Sequence, residues 1–147
     1  MTKQLSIVVL GVVALFGCGG GAQVRAYKGT STTAITNSGG GTTTITDANV
    51  VYLVMPGDEP NEWLFIDNNT SYSATASGMS LTFQGGQGFS RTSTLDNQSE
   101  MVTVSNGTGM LQAESLSISI SGQITQSSTS GGSGTASYTL MFTGRRE

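Results

Sequence analysis

Between residues 115 and 125 apolar and polar side chains alternate strictly: Leu116, Ile118, Ile120 and Ile124 share one parity, and Ser117, Ser119, Ser121 and Gln123 share the other. Gly122 falls on the apolar parity. A period of two is that of a β-strand with one buried face and one wet face, whereas a helix would repeat every 3.6 residues. The last segment repeats the pattern, with Ala136, Tyr138, Leu140 and Phe142 opposed to Ser137, Thr139 and Thr143; Met141 alone breaks it. Shorter stretches of the same character predict strands over 25–36, 42–46, 50–55, 63–66, 71–76, 80–84, 89–95 and 101–105, the last extending as far as Leu111. Turn-forming residues separate them at 37–41, 56–58, 67–70, 77–78, 85–88 and 96–97.

About eight to ten short strands with no helical segment between them imply antiparallel neighbours, because a parallel pair needs a crossover of a dozen or more residues. The expected fold is therefore all-β, a single antiparallel meander over residues 24–147. A closed barrel is favoured over a β-sandwich because closure alone removes both exposed edges. The expected interior holds Trp63, Phe65, Tyr72, Leu81, Phe83, Phe89, Val102 and Val104, together with the apolar residues of the two clearest strands.

Composition narrows the chemistry. The chain has 147 residues, enough for one ordinary domain, and contains no histidine, which removes Ser-His-Asp and Cys-His catalysis and histidine metal sites. A single cysteine excludes an internal disulfide. Six basic against nine acidic residues give a net charge of -3 and no basic run, so nucleic acid is not an expected partner.

The first residues have a different character. Lys3 is followed by an apolar run over 5–16, broken only by Ser6 and Gly11, and then by Gly17 and Cys18. The run is too short to span a bilayer. It resembles a bacterial lipoprotein signal, with Leu15-Phe16-Gly17-Cys18 as its lipobox. That resemblance implies cleavage between Gly17 and Cys18, diacylglycerol on the Cys18 thiol, and acylation of the new amine. The expected organisation is a signal peptide over 1–17, a lipidated cysteine and Gly-rich tether over 18–23, and the β domain after it. Gly19 stands where an aspartate would retain such proteins at the inner membrane, so the resemblance also implies the outer membrane, facing either the periplasm or the exterior. Each buried methylene contributes roughly 0.8 kcal/mol, so several acyl chains anchor firmly. A Gly-rich tether of about five residues reaches only about 12 Å, which keeps the domain beside the lipid.

A second resemblance joins the two ends of the domain. Tyr27 lies at the start of the first predicted strand, and Arg145 and Arg146 end the last. This is similar to lipocalin-like barrels, in which an aromatic residue of the first strand stacks under an arginine of the final one; here Tyr takes the place of Trp, and Arg25 that of the preceding Gly. The resemblance implies a cation-π contact between Tyr27 and the terminal arginines.

No residues are expected to be catalytic. Asp58, Glu59, Glu62 and Asp67 flank Trp63, which is what a carboxylate-pair glycosidase would need, but turn residues bracket them and the simpler reading is a charged loop. No EF-hand spacing is present, and neither a metal nor a cofactor is expected. Gly39-Gly40-Gly41 lacks the Lys-Ser/Thr of a phosphate loop. Two functions remain. One is a non-catalytic structural or interaction module for an envelope protein partner. The other is carriage of a small apolar ligand in the barrel, with Phe83, Tyr138 and Phe142 as lining and with Gly122, Gly134, Ala74 and Ala76 leaving room.

Overall fold

A computed structural model of the protein describes residues 23–67, 70–92, 99–127 and 133–147. The lipobox, Gly17 and Cys18 lie outside the described residues. Within them the regular structure is all strand: β1 (Arg25–Asn37), β2 (Thr42–Pro56), β3 (Glu62–Ile66), β4 (Ser71–Ser77), β5 (Ser80–Phe83), β6 (Gly88–Thr92), β7 (Ser99–Leu111), β8 (Ser115–Ser127) and β9 (Ser133–Arg146). All pairings are antiparallel, and the sheet runs β5-β4-β3-β2-β1-β9-β8-β7-β6.

A further pairing of β5 with β7 closes the sheet into a ring. β5 and β6 lie end to end on one edge of β7, Ser80 opposite Met110 and Gly88 opposite Thr103, so together they act as one interrupted strand. The meander is then an eight-walled barrel, as the alternation of the sequence implies.

The interruption is repaired by a side chain. Gly86 takes a left-handed conformation (φ 87°) and its N–H reaches the Val104 carbonyl at 2.8 Å, which turns the chain out of register over 84–87. Gln87 then lends its amide to β4: Ser73 N–H donates to Oε1 at 2.7 Å, and Nε2 donates to the Ser73 carbonyl at 2.8 Å and to the Gln84 carbonyl at 2.8 Å. The amide does for Ser73 what a peptide of a continuous strand would do.

One strand is longer than the pattern predicts. The segments over 42–46 and 50–55 are a single strand, because a bulge at 47–50 of β2, opposite Gly29 and Ser31 of β1, takes up the irregularity there. Elsewhere β3 and β4 have 5 and 7 residues against 15 in β2 and 13 in β7. At about 3.4 Å per residue β3 rises about 17 Å and β2 about 50 Å. The β3–β4 hairpin therefore walls only one half of the barrel. Below its tip the ring is closed; above it the sheet is an open arc from β2 to β6.

Parity assigns the faces. Tyr27, Tyr52, Val54, Phe65, Tyr72, Leu81, Phe83, Val102, Val104, Leu116, Ile120, Ile124 and Phe142 point inward and are buried, with Trp63 and Phe89 half-buried against them. Ser117, Ser119, Thr139 and Met141 face outward, while Ser31 is buried on the inner face. A polar exterior around an aromatic interior is the reverse of the apolar outer belt of a membrane-spanning barrel.

Candidate functional site

The three residues expected to line a ligand cavity all lie inside the barrel. Phe83 packs against Phe65 (ring centroids 5.2 Å apart) and edge-on to Tyr72 (6.4 Å), and Phe142 sits edge-on to Tyr52 at 4.7 Å. Phe83 and Phe142 are each 1% exposed. Tyr138 fills the space that Gly122 leaves: a Cβ at Gly122 would come within 2.6 Å of the Tyr138 ring and would also meet the Thr103 carbonyl. The small residues of the inner face thus make room for aromatic rings of the protein itself.

The closed end is capped by other contacts than the barrel resemblance implies. Tyr27 is opposite Arg146 in the β1–β9 ladder, so the first and last strands do meet. The Tyr27 ring, however, turns into the interior and its hydroxyl donates to the Gln112 carbonyl at 2.8 Å, while Arg145 and Arg146 lie exposed at the rim. Among the described residues the cation-π contact formed is Arg25 over Trp63, at 5.6 Å.

The acidic residues do not converge. Glu62 folds back on its own loop, its Oε2 accepting from the N–H groups of Asp58 (3.1 Å) and Glu59 (3.2 Å). Asp67, at the other end of β3, accepts from the Thr70 N–H and hydroxyl, both at 2.8 Å. These carboxylates organise turns. Among the described residues no group of three His, Cys, Asp or Glu side chains comes together, and no helix is long and apolar enough to cross a membrane.

Where the closed half gives way to the open arc, polar groups gather. The Tyr52 hydroxyl is buried beside Asp67, and its ionisation is pushed far above the ordinary tyrosine range, first by burial and then by Tyr72, Asp67 and Tyr138. Higher on the inner face Glu100 is 4% exposed and accepts from Gln126 Nε2 at 2.7 Å. Sequence reasoning missed Glu100, although it shares parity with Val102 and Val104 and the signal was therefore present. On the outer face, Thr36, Asn37, Ser38, Gln123, Thr135, Ala136 and Ser137 surround a shallow hollow of about 210 Å³.

The second feature missed is an edge. β3 covers β2 only from Leu53 to Pro56. Over 42–52 the side of β2 away from β1 has no strand partner among the described residues, and 42–49 are exposed on both faces. Its inward row is Thr43, Ile45 and Asp47, opposite Ile35, Thr33 and Ser31 of β1. Ile45 is 41% exposed. No sequence pattern marks it, because 42–46 and 50–55 read as two short strands like those that follow.

No protein-family model matches the chain, and neither curated proteins nor solved structures give a match.

Proposed function

We propose that the protein is a non-catalytic structural or interaction module of the bacterial envelope, held at the outer membrane by lipid on Cys18. The observation that carries this reading is the division of the barrel into a half packed with its own aromatic rings and a half that ends in a strand edge with no strand partner among the described residues. Unpaired N–H and C=O groups along a strand are a template for another chain. The carboxylates of Glu62 and Asp67 are spent on turns, and the chain has no histidine to serve as a general base. Membrane attachment by lipid suits a barrel whose exterior is polar. With Lys3 removed along with the signal, nine acids stand against five bases, so the mature chain carries -4 and has little electrostatic attraction to anionic lipid.

Two measurements test the reading. Cys18→Ala, or inhibition of lipoprotein signal cleavage, yields an unprocessed or soluble species; unchanged membrane fractionation removes the anchor. Crosslinking in intact cells traps a defined protein partner; its absence removes the interaction role. Carriage of a small apolar molecule is the second reading, favoured by Tyr138, Leu140 and Ile35 on the inner face of the open arc. Native mass spectrometry of protein taken from the envelope then shows an adduct, and repeated recovery of bare protein sinks it.

A further inference from the structure

We infer that the exposed edge of β2 pairs with β2 of a second copy of this chain, antiparallel about a two-fold axis through Ile45. This deepens the interaction reading, on which it rests, by naming the partner.

Over 42–46 the edge lacks the devices that keep strands apart. Monomeric proteins blunt exposed edges with lysine, proline, bulges or short length. Over 42–49 there is no Lys, Arg or Pro, and the one charge is Asp47. The opposite lip of the arc, β6, is only five residues long and carries Arg91. β2 is the long edge, with a single charge.

The sequence of that edge suits its own copy in one register. A two-fold axis perpendicular to a sheet keeps inner faces inner, so only residues of equal parity can face each other. With the axis at Ile45, Ile45 meets its copy, Thr44 faces Thr46, and Thr43 faces Asp47. Thr–Thr pairs and a hydroxyl opposite a carboxylate are favourable cross-strand neighbours. The exposed Ile45 side chain is covered by the same residue of the second copy. Moving the axis to Thr46 would set Ile45 against Asp47, and moving it to Asp47 would oppose like charges. Moving it to Thr44 would leave Ile45 against Thr43. A two-fold axis along a membrane normal also holds both Arg25 ends at one height, so the pair is compatible with two lipid anchors in one leaflet.

The test uses the full chain in the envelope. Under mild oxidation Ile45→Cys gives a disulfide-linked species of twice the chain's mass, whereas Ala48→Cys and the unaltered chain, whose one cysteine, Cys18, carries lipid on its sulfur, do not. In detergent, sedimentation finds the unaltered chain as a dimer and Ile45→Lys as a monomer of unchanged circular dichroism. Equal crosslinking at 45 and 48, a monomeric unaltered chain, or a dimer that survives Ile45→Lys each overturns the inference. An Ile45→Cys crosslink to a different protein overturns it too, but leaves the interaction reading standing.

Discussion

The two halves of this barrel are built from the same strands and held together differently. In the closed half every wall has two neighbours, and the interior is a stack of rings: Tyr52 on Phe142, Phe65 on Phe83, Phe83 on Tyr72, Tyr72 on Phe89. In the open half β1 and β2 continue as a hairpin whose outer strand is exposed on both faces. Continuous hydrogen bonding along β1 therefore does not mean uniform stability, since 42–49 of β2 are exposed while Tyr52 and Val54 of the same strand are fully buried. The largest expected effect follows. Phe142→Ala removes a ring that is 1% exposed and in contact with Tyr52. It should cost about 3–5 kcal/mol in denaturant unfolding, and a loss near zero would mean that the closed half does not carry the fold.

Glycines of the inner face sharpen the comparison. Gly122 lies under the Tyr138 ring and against the Thr103 backbone, whereas an added Cβ at Gly134, near the open end, meets nothing nearer than Gln126 Oε1 at 4.0 Å. Gly122→Ala should destabilise by about 1–3 kcal/mol through overpacking. Gly134→Ala should be neutral within about 0.5 kcal/mol. Thermal unfolding of the two variants side by side reads the difference directly, and equal shifts would show that the inner face is packed alike throughout.

The joint between the halves depends on Gln87. Gln87→Ala leaves the Ser73 N–H and C=O without the side-chain amide that now holds both. The site is half-buried, so water replaces part of the loss, and the expected cost is about 1–2 kcal/mol. Gln87→Glu keeps an acceptor for the Ser73 N–H but sets a carboxylate oxygen against the Ser73 and Gln84 carbonyls, and should cost at least as much. Faster amide exchange at Ser73 in Gln87→Ala, with the β8–β9 ladder unchanged, would locate the damage at this joint.

Parity made much of this legible. The period of two in 115–125 and 136–143 assigned Leu116, Ile118, Ile120, Tyr138, Leu140 and Phe142 to one face, and the structure buries them together. The absence of helical spacing made the sheet antiparallel, and the need to remove edges pointed to closure. Three things escaped because they depend on which strands are neighbours. Trp63 receives its cation from Arg25 and Tyr27 receives none, since ring direction at the rim depends on the packing beneath it. The repair by Gln87 exists only because Ser73 is opposite a gap 14 residues away in sequence. The open edge of β2 exists only because β3 and β4 stop early, and a linear pattern does not say how far a hairpin climbs the wall of a barrel.

Alkaline pH probes the boundary between the halves. The Tyr52 hydroxyl in the folded protein ionises well above its unfolded value near 10, chiefly because it is buried. Its contribution to stability is thus fully present below about pH 10 and declines as pH rises further, by at most about 1.4 kcal/mol per pH unit for this one proton. Tyr52→Phe should flatten that decline in unfolding measured between pH 9 and about 11.5. Should the slope persist in Tyr52→Phe, the group responsible is another one, and the boundary is wetter than the burial of Tyr52 indicates.

The smallest expected effect lies on the open hairpin. Ile45 is 41% exposed in a stretch of β2 that, among the described residues, has only β1 beside it. In a single copy Ile45→Ala removes little buried area, and should shift unfolding by less than about 0.5 kcal/mol when the protein is dilute enough to keep copies apart. Raising the concentration supplies the contrast. A partner seated on this edge stabilises the unaltered chain by mass action, so its unfolding midpoint rises with concentration while that of Ile45→Ala rises less. A large loss in the dilute variant would place real packing on the open half and erase the distinction between the two. A midpoint independent of concentration in both proteins would leave the distinction intact and the edge without its second copy.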